Sequence, residues 1–511
     1  MLKRLDNEAA LILEKKKVYG YDWSKDYLSE LEEAFPGVAG NLTVIVDGSK
    51  RNRGMLSREG NEVYVNETSW LKEAGRQEAV VLILSDYHRE AYGTLCGLLP
   101  QFEGDLTVYY FVSRETAIEE TYREQYRNQE LENIILFRSG PHASSYIKGT
   151  DFADNARALF DYMLAEHMNE TYELVWLVKN PEEFGRYRDV KNVSFLSFDW
   201  SVSENKEERD RYYRVLCLAK YLFFTDAYGF ARNSRSDQVR VQLWHGCGFK
   251  TRVNFARCEK RYEYTTVISD LYAEIHQDIY GLREDQMLVT GYAKEDWLFH
   301  PDREAWERLG LAGAERYIFW LPTFRTAKEG LAQLNEYDLT GQTGLPVLDS
   351  YEKLSYLDRL LESLHTELII KLHPFQDRSR VGRIHMNRIR VLEHETLVDM
   401  DLQINRLLGY ADGLISDYSS AAVDYMLLDR PMGFTLDDVE EYGNSRGFVF
   451  ENIRDWLPGK EIFSFEAFCE FVREVGEGRD STAERRRELK ERMHKYGDDR
   501  SCKRIVEALG I

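Results

Sequence analysis

The chain has 511 residues, 43% hydrophobic and 13% aromatic, the make-up of a folded protein with room for two or three domains. Its formal net charge of −21 disfavours general nucleic-acid binding, which needs clustered Lys and Arg to release counterions, and argues against a purely electrostatic grip on anionic lipid. The six cysteines, Cys96, Cys217, Cys247, Cys258, Cys469 and Cys502, lack zinc-ligand spacing and read as reduced thiols. Met1 to Lys17 is charged and alternating, and no apolar run approaches membrane-spanning length, so the expected location is the cytoplasm.

In chain order, strand signals fall at Leu42–Val46, Ala79–Ser85, Leu106–Val112 and Ile134–Phe137, with helices at Arg89–Leu99 and around Glu115–Tyr126. This alternation predicts a small parallel α/β unit over residues 1–138. The acidic helix near Glu115–Tyr126 reads as a solvated face. After the break at Gly140–Ser144, a second α/β region is expected over 139–310. It has a helix at Asn155–Met168, strands at Glu173–Val178 and Val193–Phe198, and a charged helix from Ser203 to near Leu222. Further strands are expected at Val241–Leu243, Thr265–Ser269 and Gln286–Thr290. A third region, 311–511, runs through strands at Ile318, Leu368, Val391 and Gly413 to a terminal helix, Ala483–Leu509. The predicted class is α/β: two Rossmann-like domains facing across a cleft, the GT-B arrangement, plus the small N-terminal unit.

Four strand ends carry polar clusters. Leu414-Ile415-Ser416-Asp417-Tyr418-Ser419-Ser420 reads as strand, tight turn and helix start, where unpaired N–H groups and hydroxyls suit a phosphate. Val241-Gln242-Leu243-Trp244-His245-Gly246-Cys247-Gly248-Phe249-Lys250 is a strand running into a histidine and two glycines. Tyr317–Leu321 is stopped by Pro322 and followed by Thr323 and Arg325, and Leu368–Leu372 carries Lys371 and then His373-Pro374. Because ligands of open α/β sheets bind outside the carboxyl ends of strands, these four ends describe an anion site. No dense carboxylate cluster adjoins them, so no metal is expected.

Taken together, these residues resemble the CDP-glycerol glycerophosphotransferases, which polymerise or prime teichoic-acid-like glycerol phosphate chains. The likeness rests on Leu243-Trp244-His245-Gly246 with Lys250, Thr290-Gly291-Tyr292, Pro322-Thr323-Phe324-Arg325, Lys371-Leu372-His373-Pro374 and Ser416-Asp417-Tyr418-Ser419-Ser420 with Asp424. It continues through Arg430-Pro431, Arg446-Gly447-Phe448, Pro458-Gly459 and Met493-His494-Lys495-Tyr496-Gly497-Asp498, covering about residues 138 to 511. The chain departs from the family pattern where threonine and proline usually follow His-Gly, having Cys247 and Gly248 instead. It departs again after Tyr292, where proline, arginine and an asparagine–aspartate pair give way to Ala293, Lys294, Glu295 and Asp296, and at Phe324, which replaces a tryptophan.

The resemblance implies transfer of glycerol phosphate from CDP-glycerol, as co-substrate and without a cofactor, to a lipid-linked or polymeric polyol-phosphate or glycan acceptor, with CMP released. Peripheral contact with the inner face of the membrane would go with such an acceptor. An imidazole suits removal of the acceptor proton, and His245, flanked by Gly246 on the acceptor side with Lys250, is the candidate base. His373 is expected at the donor pyrophosphate, with Thr323, Arg325 and Lys371 holding the same charge. Ser419 and Ser420 are expected at the phosphates, and Asp424, one helical turn on, at a ribose or glycerol hydroxyl. CDP-ribitol chemistry, a nucleotide-sugar glycosyltransferase on the same scaffold and a catalytically silent binding protein in surface-polymer assembly are the alternatives.

Overall fold

A computed structural model describes the chain outside residues 1, 14–15, 22–24, 48–62, 66–79, 86–87, 99–106, 141–146, 226–233, 251–261, 312, 324–340, 373–379 and 446. The described chain forms two compact units, one of residues 1–129 with 199–217 and one of 130–198 with 218–511.

The first unit holds six parallel strands, β1 (Leu2–Arg4), β2 (Val18–Tyr21), β3 (Leu42–Asp47), β4 (Val63–Val65), β5 (Val80–Leu84) and β6 (Thr107–Phe111), in the order β1-β6-β5-β2-β3-β4. All five residues of β5 are buried, because apolar clusters cover the sheet on both faces. The helix Arg114–Tyr126 is not merely a solvated face. Its Tyr122 is buried, stacks on Tyr213 at 4.5 Å, and donates to Asp210 at 2.5 Å. The helix Lys206–Leu218 thus packs on it.

The second unit contains two parallel sheets. One has β7 (Glu132–Arg138), β8 (Glu173–Val178), β9 (Val193–Ser197), β10 (Ala219–Phe224), β11 (Val239–Gln242), β12 (Tyr264–Val267) and β13 (Met287–Val289), ordered β13-β12-β11-β10-β7-β8-β9. The other has β14 (Arg316–Trp320), β15 (Thr366–Lys371), β16 (Ile389–Leu392), β17 (Gly413–Ser416), β18 (Met432–Thr435) and β19 (Lys460–Ile462), ordered β16-β15-β14-β17-β18-β19. Both are doubly wound, and the strand order reverses between β7 and β10 and between β14 and β17. Crevices open at such reversals.

Three expectations change here. The strand at 132–138 pairs with β8 and β10 and is the centre of the second sheet, not the end of an N-terminal unit. Ala219–Phe224, expected as a helix tail, is β10, because an unbroken apolar run suits a strand buried on both faces as well as it suits a helix. The terminal helix is two helices, Ala483–Met493 and Ser501–Leu509. Asp296 accepts from the backbone N–H groups of Ser501 and Cys502, both at 2.9 Å, and Cys502, Ile505 and Val506 join the core around β7 and β8. The end of the chain therefore packs with the region expected at 139–310.

Candidate active site

The turn after β11 is held at successive carbonyls. The fully buried Asn155, at the start of the helix Asp154–Ala165, donates from Nδ2 to Leu243 O (3.1 Å) and Trp244 O (2.9 Å). Its Oδ1 accepts from Lys294 N at 3.1 Å, and Lys294 Nζ donates to His245 O at 2.6 Å. These bonds support a costly backbone: Trp244 has φ +57° and Gly246 φ +137°. The Trp244 ring lies tilted against the His245 imidazole at 5.3 Å and meets Tyr280 edge-on at 5.1 Å. Cys247, a departure from the family pattern, faces the interior, its Sγ 3.0 Å from the Tyr292 hydroxyl. Burial pushes its thiol up, so it stays protonated.

Opposite this turn, β17 ends in the buried pair Ser416 and Asp417. Asp417 accepts from Thr323 N (2.7 Å), Thr323 Oγ1 (2.5 Å) and Tyr418 N (2.6 Å), which fixes the Thr323 hydroxyl after β14. Lys250 Nζ donates to that hydroxyl at 3.3 Å, and its backbone bridges Phe448. Lys250, which follows the histidine turn after β11, thus reaches the hydroxyl that follows β14. Ser419 caps the six-residue helix Ser420–Tyr425, accepting from Ala421 N at 3.4 Å. Ser420 lies against the glycines of the histidine turn: a Cβ at Gly246 would stand 2.8 Å from Ser420 Oγ, and one at Gly248 would stand 3.3 Å from Ser420 Cβ.

Asp424, expected from its helical spacing at a ribose or glycerol hydroxyl, is a buried residue. It is 1% exposed, and its Oδ2 lies 3.4 Å from Lys294 Nζ, which is also 3.3 Å from Asp154 Oδ1. Burial disfavours the Lys294 charge, but Asp154 and Asp424 outweigh it and hold the ammonium charged. Burial, reinforced by Asp424, pushes the neighbouring Glu295 carboxyl well up. Its Oε2 accepts from Tyr292 N at 2.8 Å.

A cavity of about 610 Å³ opens where the carboxyl ends of the two sheets meet. His245 after β11 and Lys371 at the end of β15 both line it, as do Asp154, Thr225, Arg186 and His394. Arg157 grips Asp401 through two bonds of 3.0 and 3.1 Å along one wall, and Arg186 reaches the same carboxylate at 2.7 Å. His373 and Arg325 fall outside the described residues. Among the described residues, no three His, Cys, Asp or Glu side chains gather to hold a metal ion, and no helix is long and apolar enough to cross a membrane. Sequence reading missed Asn155, Lys294 and Asp417 as builders of the site. Only Asp417 had a signal, its place inside the Ser416–Ser420 motif.

This architecture is shared with solved proteins. The wall teichoic acid polymerase TagF superposes with a TM-score of 0.59 at 18% identity, covering 83% of this chain and 97% of that one. The teichoic acid ribitol-phosphate polymerase TarK of Staphylococcus aureus is 26% identical over 345 residues, 63% of this chain and 62% of its own length. The teichoic acid ribitol-phosphate polymerase TarL of the same organism is 24% identical over 74% of this chain and also 62% of its own length. The chain thus spans under two thirds of these two relatives. A teichoic acid glycerol-phosphate transferase of S. aureus is 23% identical over 74% of this chain and 92% of its own length. The model of one family, described as CDP-glycerol:poly(glycerophosphate) glycerophosphotransferase, matches residues 122–510, and the chain belongs to that family.

Proposed function

We propose that this protein transfers glycerol phosphate from CDP-glycerol to an acceptor hydroxyl on a teichoic-acid-like, capsular or glycolipid chain, releasing CMP, in a GT-B arrangement and without a metal. The observation that carries this reading is that His245 and Lys371, from the ends of strands in two different sheets, line one cavity. The acceptor hydroxyl gives its proton to the His245 imidazole as its oxygen bonds to the phosphorus bearing glycerol. The bond from that phosphorus to the bridging oxygen breaks, and CMP leaves with the electron pair. Lys371 and Lys250, with the Thr323 and Ser420 hydroxyls, stabilise the phosphoryl oxygens. His373 and Arg325 lie two residues after Lys371 and Thr323 and are assigned to the same pyrophosphate. The acceptor is lipid-linked or polymeric and is met at the inner face of the membrane.

A second donor, CDP-ribitol, is favoured by one finding: two of the relatives above are ribitol-phosphate polymerases. CMP release measured with each CDP-alditol and a lipid-linked acceptor analogue separates the two. Turnover with CDP-glycerol that falls about 10²–10⁴-fold in His245→Asn is the expected result. Full activity in that variant, or no turnover with either donor, would sink the reading.

A further inference from the structure

The buried ammonium of Lys294 belongs to no part of the reaction described above, yet it touches both sides of the cleft. Its Nζ donates to the backbone carbonyl of His245 at 2.6 Å. It is paired with Asp154, on the rim of the cavity, at 3.3 Å, and with Asp424, on the helix that begins at Ser420, at 3.4 Å. Ser420 in turn lies against Gly246, the residue after His245. A lysine side chain 10% exposed is costly to desolvate and persists only where its partners repay the cost. Here the partners are a carbonyl of the histidine turn and carboxylates from both sheets' layers.

The backbone it holds is under tension. Trp244 and Asp154 both sit at positive φ, +57° and +60°, conformations that side chains other than glycine resist. With Asn155 on the two preceding carbonyls, Lys294 is the third fixed point of the turn and the one that reaches across to the second sheet.

We propose that Lys294 is a positioning residue that sets the His245 imidazole relative to the donor-side helix, so that the base and the phosphoryl group meet at reacting distance. It acts through the His245 carbonyl and Asp424 and touches neither substrate. This rests on His245 being the base. Removing Lys294 frees the turn to relax and lets the two walls of the cleft shift against each other, and a misplacement of about 1 Å costs about 10²-fold in rate.

The experiment compares wild type, His245→Asn, Lys294→Met, Lys294→Gln and Lys294→Arg in full-length protein. CMP release gives kcat and KM for CDP-glycerol, calorimetry gives the affinity for CDP, and thermal melting confirms the fold. Turnover in wild type that collapses in His245→Asn tests the underlying reading by itself, before any Lys294 variant is considered. Given that, Lys294→Met is expected to lose kcat about 10²-fold with CDP affinity within about threefold of wild type. Lys294→Arg, whose guanidinium can still donate to the carbonyl and pair both carboxylates, should recover most of that loss. Where Lys294→Met does not fold, Lys294→Gln, neutral and of similar length, is read in its place. A kcat within threefold of wild type in either folded neutral variant overturns the proposal. So does a loss of CDP affinity as large as the loss of kcat, which would make Lys294 part of donor binding.

Discussion

Gly246 and Ser420 touch so closely that a Cβ at Gly246 would stand 2.8 Å from Ser420 Oγ and 2.9 Å from its Cβ. With φ at +137°, position 246 also forbids a side chain on backbone grounds. Gly246→Ala should therefore push the histidine turn away from the Ser420 helix, lowering CMP release about 10²-fold and stability by about 1–3 kcal/mol. Gly248 has an ordinary φ and a looser 3.3 Å approach, so Gly248→Ala should be clearly milder. Equal losses in the two variants, in rate and melting temperature, would show that the close contact is unimportant.

Lys250, Thr323 and Asp417 form one chain of bonds, from ammonium to hydroxyl to buried carboxylate. Thr323→Val removes the link and leaves Asp417 its bond from Tyr418 N, so the fold should hold. We expect KM for the CDP-alditol to rise about tenfold, worth about 1.4 kcal/mol, with a smaller change in kcat. Lys250→Met should act through the same contact. In a double-mutant cycle the two effects should fall short of adding, and strict additivity would show that Lys250 and Thr323 work apart.

Arg157 is 7% exposed and binds Asp401 at two points across one wall of the cavity, while Asp161 holds its Nε at 2.8 Å. Asp401→Asn leaves a buried guanidinium with one carboxylate partner fewer. Because the Asp401 side chain is 40% exposed, the cost is reduced to about 1–2 kcal/mol. Urea unfolding should show this as a lower midpoint at unchanged slope. An unchanged midpoint would mean that solvent replaces the pair.

His494 is buried and neutral, its Nε2 donating to Val423 O at 2.9 Å on the helix that carries Asp424. Burial lowers its pKa to about 4 from an ordinary 6.5. Between these values the unfolded chain takes up a proton that the native protein refuses, so stability is complete above pH 6.5 and falls as the pH drops toward 4. The loss approaches about 3 kcal/mol at the lower end. His494→Gln keeps an amide donor but cannot titrate. Its melting temperature should fall less than that of wild type between pH 7 and pH 5, and parallel curves would refute the assignment.

The region of the chain that reads most clearly is its apolar strands. Glu173–Val178 and Leu368–Leu372 announce themselves through unbroken apolar runs, and β8 and β15 lie there. The same signal misleads at Ala219–Phe224, where a strand follows a helix without a break and the run looks like the helix continuing. Leu2–Arg4 and Val18–Tyr21 escape notice because short strands with charged neighbours carry almost no periodicity.

What the sequence by itself determined is the chemistry on offer: a histidine followed by two nearby glycines, a lysine at a buried strand's end, and hydroxyls after β14 and β17. Residue type and local pattern fix those. Only the tertiary structure decided which of them share a cavity, that Asp424 spends its charge on Lys294, that Lys250 reaches Thr323, and that the last helix returns to the β7–β8 core. Local spacing reports which face a residue takes on its own element. Whether a charge ends in water or against an opposite charge depends on which distant segment packs over that face, and folding alone brings the segment there.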